Sequence, residues 1–147
     1  SELILKPRKR GCVMPERARV NHVTTTISKS VDQYKHINYK NFPALFELGQ
    51  DSYLAECKLS FDLLETRDEI RSVVVSYKVD IKSSILKGDT VNIATSLRLG
   101  VTSLTFEQNI KKDKVLVATQ EIVVVLVEAN DMTQKVAISS DLRVALR

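Results

Sequence analysis

From residue 69 onward apolar side chains recur at every second position, and no other feature of the chain restricts its fold so tightly. A period of two sends successive side chains to opposite faces of a strand. Val73, Val75, Tyr77, Val79 and Ile81 alternate with Ser72, Val74, Ser76, Lys78 and Asp80. "LKGDT" then supplies a turn in which Gly88 is free to take a positive φ. Val91, Ile93, Thr95, Leu97 and Leu99 alternate up to Gly100, and Leu104, Phe106, Gln108 and Ile110 repeat the pattern before "KKDK" closes a hairpin. "VLVATQEIVVVLVE" is apolar on both faces in its second half, as expected of a central strand covered on two sides. "ANDM" turns the chain into a short strand, Gln134 to Ser139. Four antiparallel strands in meander order are predicted.

Upstream the period changes. Residues 20 to 31, "VNHVTTTISKSV", are rich in β-branched types and predict a first strand. Phe42, Leu45, Phe46, Gly49, Tyr53 and Cys57 then recur at spacings of three and four, one apolar stripe on a helix of about four turns. Glu47, Gln50, Asp51 and Glu56 fall largely off that stripe. The expected architecture is α+β: a strand, one long helix, then an antiparallel sheet of about five strands in all, one of whose faces the helix covers. Strands that are apolar on both faces exceed what one helix can cover, so a second sheet or a second subunit is expected.

The composition bounds the function. A chain of 147 residues, 44% hydrophobic and 27% charged, is most simply one globular domain. The net charge of +4 sits in the first twenty residues, where Lys6, Arg8, Lys9, Arg10, Arg17 and Arg19 face only Glu2 and Glu16; the remainder balances. Residues 1–19 are therefore expected to be a basic, solvated or disordered leader, and residues 20–147 a neutral domain with no nucleic-acid-binding face. The longest apolar run, Ile122 to Val127, is too short to span a membrane, and the first residues lack the apolar segment of a secretory signal. Cys12 and Cys57 form neither a disulfide framework nor a metal-binding pair, and His22 and His36 are far apart, so no metal and no cofactor is expected. A reducing, cytoplasmic setting fits. No GxSxG, GxGxxG or GxxxxGK[ST] is present, which removes serine-hydrolase and nucleotide-fold readings.

The stretch "VDQYKHINYKNF", residues 31–42, gathers Asp32, His36, Asn38 and Tyr39 just ahead of the helix. Asp32 suits a helix or turn cap, and it equally suits a carboxylate acting as nucleophile or general base. Helix-start amides supply donors for a developing oxyanion, and the helix dipole adds positive potential. His36 is either a loop hydrogen-bonding residue or a partner of Asp32, and Asn38 either a cap or a substrate contact. Phe42, with Phe46 and Tyr53, either lines a substrate pocket or belongs to the core. Glu47 either faces solvent or approaches the site from the helix.

"DQYKHINYKNFPALFELGQ" resembles the active-site segment of hotdog acyl-CoA thioesterases of the 4-hydroxybenzoyl-CoA thioesterase type, and "LKGDTVNI" resembles their GD turn, with Gly88 and Asp89 in register. Asp32 meets the family's aspartate, His36-Ile37 its H-V pair, Asn41-Phe42 its polar-aromatic pair and Glu47 its helix acid. Lys35 stands where the family usually has glycine, and Pro43 falls near the first helical turn. The resemblance covers nearly all of the chain from about residue 20. It implies a hotdog fold, hydrolysis of an acyl-CoA or acyl-carrier thioester, Asp32 as catalytic carboxylate, the Tyr39 backbone N–H as oxyanion donor, and a homodimer or homotetramer with the site at a subunit interface. Two other readings remain open: a catalytically silent hotdog protein that binds acyl-CoA or acyl carrier, and a dehydratase using His36 with Glu47. Cations for the phosphates of coenzyme A are available in Lys78, Lys82, Lys87, Arg98, Lys111, Lys112 and Lys114.

Overall fold

The computed structural model describes residues 19–28 and 39–147. The strands are β1 (Asn21–Thr26), β2 (Ile70–Ile81), β3 (Thr90–Leu99), β4 (Ser103–Lys112), β5 (Val115–Glu128) and β6 (Asp131–Lys135), and the helices α1 (Phe42–Glu56), α2 (Phe61–Asp68) and α3 (Ser140–Leu146). All strand pairs are antiparallel, in the order β1-β3-β4-β5-β2, with β6 pairing to β5 off that path. β3, β4 and β5 form the expected meander. Asp113 and Lys114, both at positive φ (50° and 68°), make the tight turn between the last two, a twist that matches the flanking strands.

β2 corrects the expectation of a four-strand meander. It pairs with β5 at the far edge, not with β3. Lys82 to Asp89 is therefore a crossing: Lys82 N and Ser83 N donate to Val117 O (2.7 and 3.2 Å), Gly88 N donates to Ile27 O (2.7 Å), and Ile85 is fully buried beneath the passage. A segment of that length reaches about 25 Å when extended, well beyond the three strand spacings, about 15 Å, that separate β2 from β3. Gly88 does take its positive φ, 92°. A second correction concerns the face. The register of β2 shifts between Val74 and Ser76, so Val73 pairs with Val125 on the outer face while Tyr77, Val79 and Ile81 share the inner one. One extra residue inverts every side chain beyond it. A third concerns the C-terminus: the last strand ends at Lys135, and Ser139 accepts from Leu142 N (3.1 Å) to start α3 rather than extending a strand. α2 and α3 extend the expected architecture.

α1 lies across the inner face of the sheet, burying Phe42, Leu45, Phe46, Gly49, Gln50, Tyr53 and Leu54. It meets two apolar clusters. Phe42, Leu45 and Phe46 pack with Ile27, Ile85, Val91, Ile93, Ile110 and Val117. Leu54 packs with Leu64 of α2, Phe106, Leu126 and Leu142 and Leu146 of α3. Between them runs a polar stripe, one residue wide: Asn21, Thr95, Gln108 and Gln120 are cross-strand neighbours in succession, each 5% exposed or less. Gly49 lies directly above. A Cβ there would overlap Thr95 Oγ1 and stand 2.7 Å from Gln108 Nε2, so glycine is what lets the helix settle onto the stripe.

Candidate active site at the start of the central helix

The chain enters α1 through a 3₁₀ turn, Tyr39–Asn41, in which Tyr39 is 70% exposed. Asn41 makes no capping hydrogen bond to the helix with its side chain, and Pro43 occupies the first turn. Proline is accommodated there because first-turn N–H groups have no intrahelical partner. The positive dipole end of α1 lies at this turn.

A cleft of about 540 Å³ flanks this start. Lys40, Pro43, Glu47 and Gln50 form one wall, Phe61 of α2 adjoins it, and Val74 and Tyr77 of β2 with Gln120, Ile122 and Val124 of β5 form the other. Glu47 is exposed and therefore hydrated at the cleft mouth. Partial burial pushes the Tyr77 hydroxyl above its usual range, so it remains a neutral donor at pH 7. The floor is polar because α1 crosses the stripe here. Gln108 Nε2 donates to Phe46 O (2.8 Å) and Thr95 Oγ1 (2.9 Å), while its Oε1 accepts from Gln50 Nε2 (3.0 Å) and Gln120 Nε2 (2.8 Å).

Of the residues singled out from sequence, Tyr39 and Glu47 stand at the start of α1, Glu47 on the cleft wall. Phe42 does not line the cleft: it is 3% exposed and its ring packs 6.4 Å from that of Phe46, in the core. Phe46 and Tyr53 are likewise buried. Asp32, His36 and Asn38 lie outside the described residues. Gln50 and Gln120 were not anticipated; their one signal is an amide standing among apolar neighbours on a buried face. The crossing segment and the β4–β5 hairpin bring Lys82, Lys87, Lys111, Lys112 and Lys114 to the end of the sheet where α1 begins, with Lys112 paired to Asp89 at 3.0 Å. Lys78 and Arg98 lie on the outer face, Arg98 paired with Glu107 at 2.9 Å. Among the described residues no three His, Cys, Asp or Glu side chains group as metal ligands, and no helix is long and apolar enough to cross a membrane.

No protein-family model matches the chain, and no curated protein matches its sequence. Solved structures do match. A variant of 4-hydroxybenzoyl-CoA thioesterase complexed with 4-hydroxybenzoyl-CoA superposes with a TM-score of 0.80 at 14% identity, covering 88% of this chain and 100% of that one. The 1,4-dihydroxy-2-naphthoyl-CoA thioesterase from Synechocystis gives 0.79 at 12% identity, over 87% of this chain and 96% of its own. The chain has the hotdog fold. A predicted thioesterase from Bacillus stearothermophilus is more similar in sequence to this hotdog chain, 28% identical over 88% of it and 95% of that protein, with a TM-score of 0.73.

Proposed function

We propose that this chain is a cytoplasmic acyl-CoA thioesterase that hydrolyses its substrate to a free acid and coenzyme A. The observation that carries the reading is the superposition of nearly the whole chain on thioester hydrolases, with the start of α1 opening beside a cleft. Asp32 is the catalytic carboxylate. As a base it takes a proton from water while the oxygen adds to the thioester carbon; as a nucleophile it adds directly, giving a mixed anhydride that water then cleaves. In either case the carbonyl oxygen becomes an oxyanion held by the Tyr39 N–H, and collapse expels the thiolate, which is then protonated. His36 orients Asp32 or donates to the carbonyl. The lysines of the crossing segment and the β4–β5 hairpin are the cations at the correct end for the coenzyme's phosphates. A carrier-bound acyl group is hydrolysed by the same chemistry.

The working unit is a homodimer. β2 is an edge strand, and Val74, Tyr77 and Ile81 on its inner face are 55%, 44% and 48% exposed, a combination that a second copy would cover. Sedimentation velocity of the whole chain tests this; a monomer at all concentrations would remove it. The activity is tested by thiol release from short, long and aromatic acyl-CoAs. Asp32→Asn is expected to lower turnover about a hundredfold or more. Binding of acyl-CoA without any turnover would favour a silent binding module instead.

A further inference from the structure

The cleft beside α1 is a trough with unlike ends. Lys40, Ala44, Glu47 and Gln50 follow one another along its helix wall at steps of three and four residues. That line is about 15 Å long at the rise of an α-helix. Gln120, Ile122 and Val124, alternate residues on the inner face of β5, form the facing wall over about 13 Å. Both walls run the same way, because Phe42 shares a cluster with Ala118, and Leu54 shares one with Val124 and Leu126. Lys40 and Glu47 bring charge to the first half of the trough. At the far end Ile122, Val124 and Val74 of β2 are apolar, Ser72 adds a small hydroxyl, and the amide nitrogen of Gln50 is taken by Gln108 at 3.0 Å. Phe61 stops the trough there. Four residues separate α1 from α2, so the first side chain of α2 stands at the end away from Lys40. Its ring meets Phe106 edge-on, with centroids 6.2 Å apart, and the wholly buried Phe106 is backed in turn by Tyr53 at 6.3 Å. A ring seated on close-packed core does not recede without displacing it.

We infer that Phe61 is a specificity-determining residue that sets the length of the acyl group, and that the group the trough takes is an unbranched aliphatic chain lying along α1, its thioester at the Tyr39 end. This inference rests on the thioesterase reading and deepens it. A hydrocarbon chain matches the gradient, with its carbonyl end beside the helix start and its methyl end among Ile122, Val124 and Val74. An extended chain gains about 1.2 Å per bond, so the trough holds about ten carbons before the terminal methyl meets Phe61. Each methylene buried up to that point strengthens binding by about threefold. Each one beyond it must displace the ring or bend back toward water. A single benzene ring, by contrast, leaves the far half of the trough without contacts.

The test measures kcat/KM of the full chain on the even-numbered straight-chain acyl-CoAs from butanoyl to hexadecanoyl, and on benzoyl-CoA. The wild type should gain about tenfold for every two carbons up to about ten carbons, and lose about tenfold or more beyond them. It should also prefer decanoyl-CoA to benzoyl-CoA. In Phe61→Leu, shorter but still apolar, the fall-off should move to chains about two carbons longer, and in Phe61→Trp to chains about two carbons shorter. Each profile is read as ratios within one protein, and a cooperative melt shows that the variant is folded. If one variant does not fold, the other decides; if neither folds, Phe61 serves the core alone and the inference fails. Rates independent of length, a fall-off that stays in place in a folded variant, or benzoyl-CoA as the best substrate overturns the inference and leaves the thioesterase reading intact. If no acyl-CoA is turned over, that reading fails, and calorimetric Kd values for the same series decide the inference. Tightest binding near ten carbons, moving with Phe61→Leu or Phe61→Trp, supports it, and equal or absent binding removes it.

Discussion

The three helices begin in two different ways. α2 and α3 each open on a serine whose Oγ accepts a backbone N–H three residues on, Ser60 from Leu63 at 2.9 Å and Ser139 from Leu142 at 3.1 Å. Both pack into the cluster with Leu54, where Tyr53 also donates its hydroxyl to Leu146 O at 2.7 Å. α1, the longest helix, opens through a 3₁₀ turn, with Asn41 in a helical backbone conformation and no side-chain cap. The standard stabilising device is therefore used at the starts of α2 and α3, whereas the Asn41 side chain does not supply it at the start of α1 beside the cleft. α1 keeps its place by burial of its apolar stripe and by the approach of Gly49 to the sheet, since tertiary packing outweighs local terms in a helix of this kind.

The largest expected effect tests that last statement. Gly49→Val should cost about 3 kcal/mol through overpacking against Thr95 and Gln108, seen as a drop in Tm of roughly 10 °C; an unchanged melt would mean that α1 is not anchored there. Ser60→Ala and Ser139→Ala should each cost about 1 kcal/mol in denaturant unfolding and leave thiol release unaltered, because neither serine touches the cleft. A large loss of activity in either would undo the division between the capped starts of α2 and α3 and the start of α1 beside the cleft. At the end of the sheet where α1 begins, Asp89 is held below the usual carboxylate range, first by the N–H of Leu86 and then by Lys112. A lowered folded value adds stability above the ordinary Asp range and loses it as pH falls through the folded value. The difference in Tm between the wild type and Asp89→Asn should thus be present at pH 7 and close below about pH 4. The smallest effect is expected from Pro43→Ala, about 0.5 kcal/mol through a freer unfolded chain. Its signature lies in turnover, because it adds an N–H and a new backbone freedom beside Tyr39.

What was legible in the sequence divides along the same physical lines. The stripe of α1 and the runs of β3, β4 and β5 are periodic, and periodicity assigns faces without reference to the rest of the chain. Partnership is not periodic. Gly88 marks a turn whatever follows it, so the crossing to β3 looks like a hairpin on paper. Val75 sits in an unbroken alternating run, yet the register shift beside it changes which side is buried. α2 buries only Leu64 and α3 only Leu142 and Leu146, too few positions to declare a helical period. Thr95 and Gln108 stand in the inward-facing series, where spacing gave their face and nothing announced that they bond to one another. The motif directed attention to the start of α1, where Tyr39 lies in the 3₁₀ turn and Glu47 a turn further on. Phe42 looked able to serve either a pocket or the core, and packing assigned it to the core.

Gln108 has a consequence for how such a chain can vary through time. Its one amide serves Phe46, Thr95, Gln50 and Gln120 together, so no member of the set can be exchanged alone without orphaning another. An apolar residue at 108 removes the bond to all four at once and strands the three side chains, whereas the same change made jointly at 50, 95, 108 and 120 leaves a continuous apolar floor. Descendants of this chain should therefore carry either the whole polar set or none of it, and intermediates should be rare.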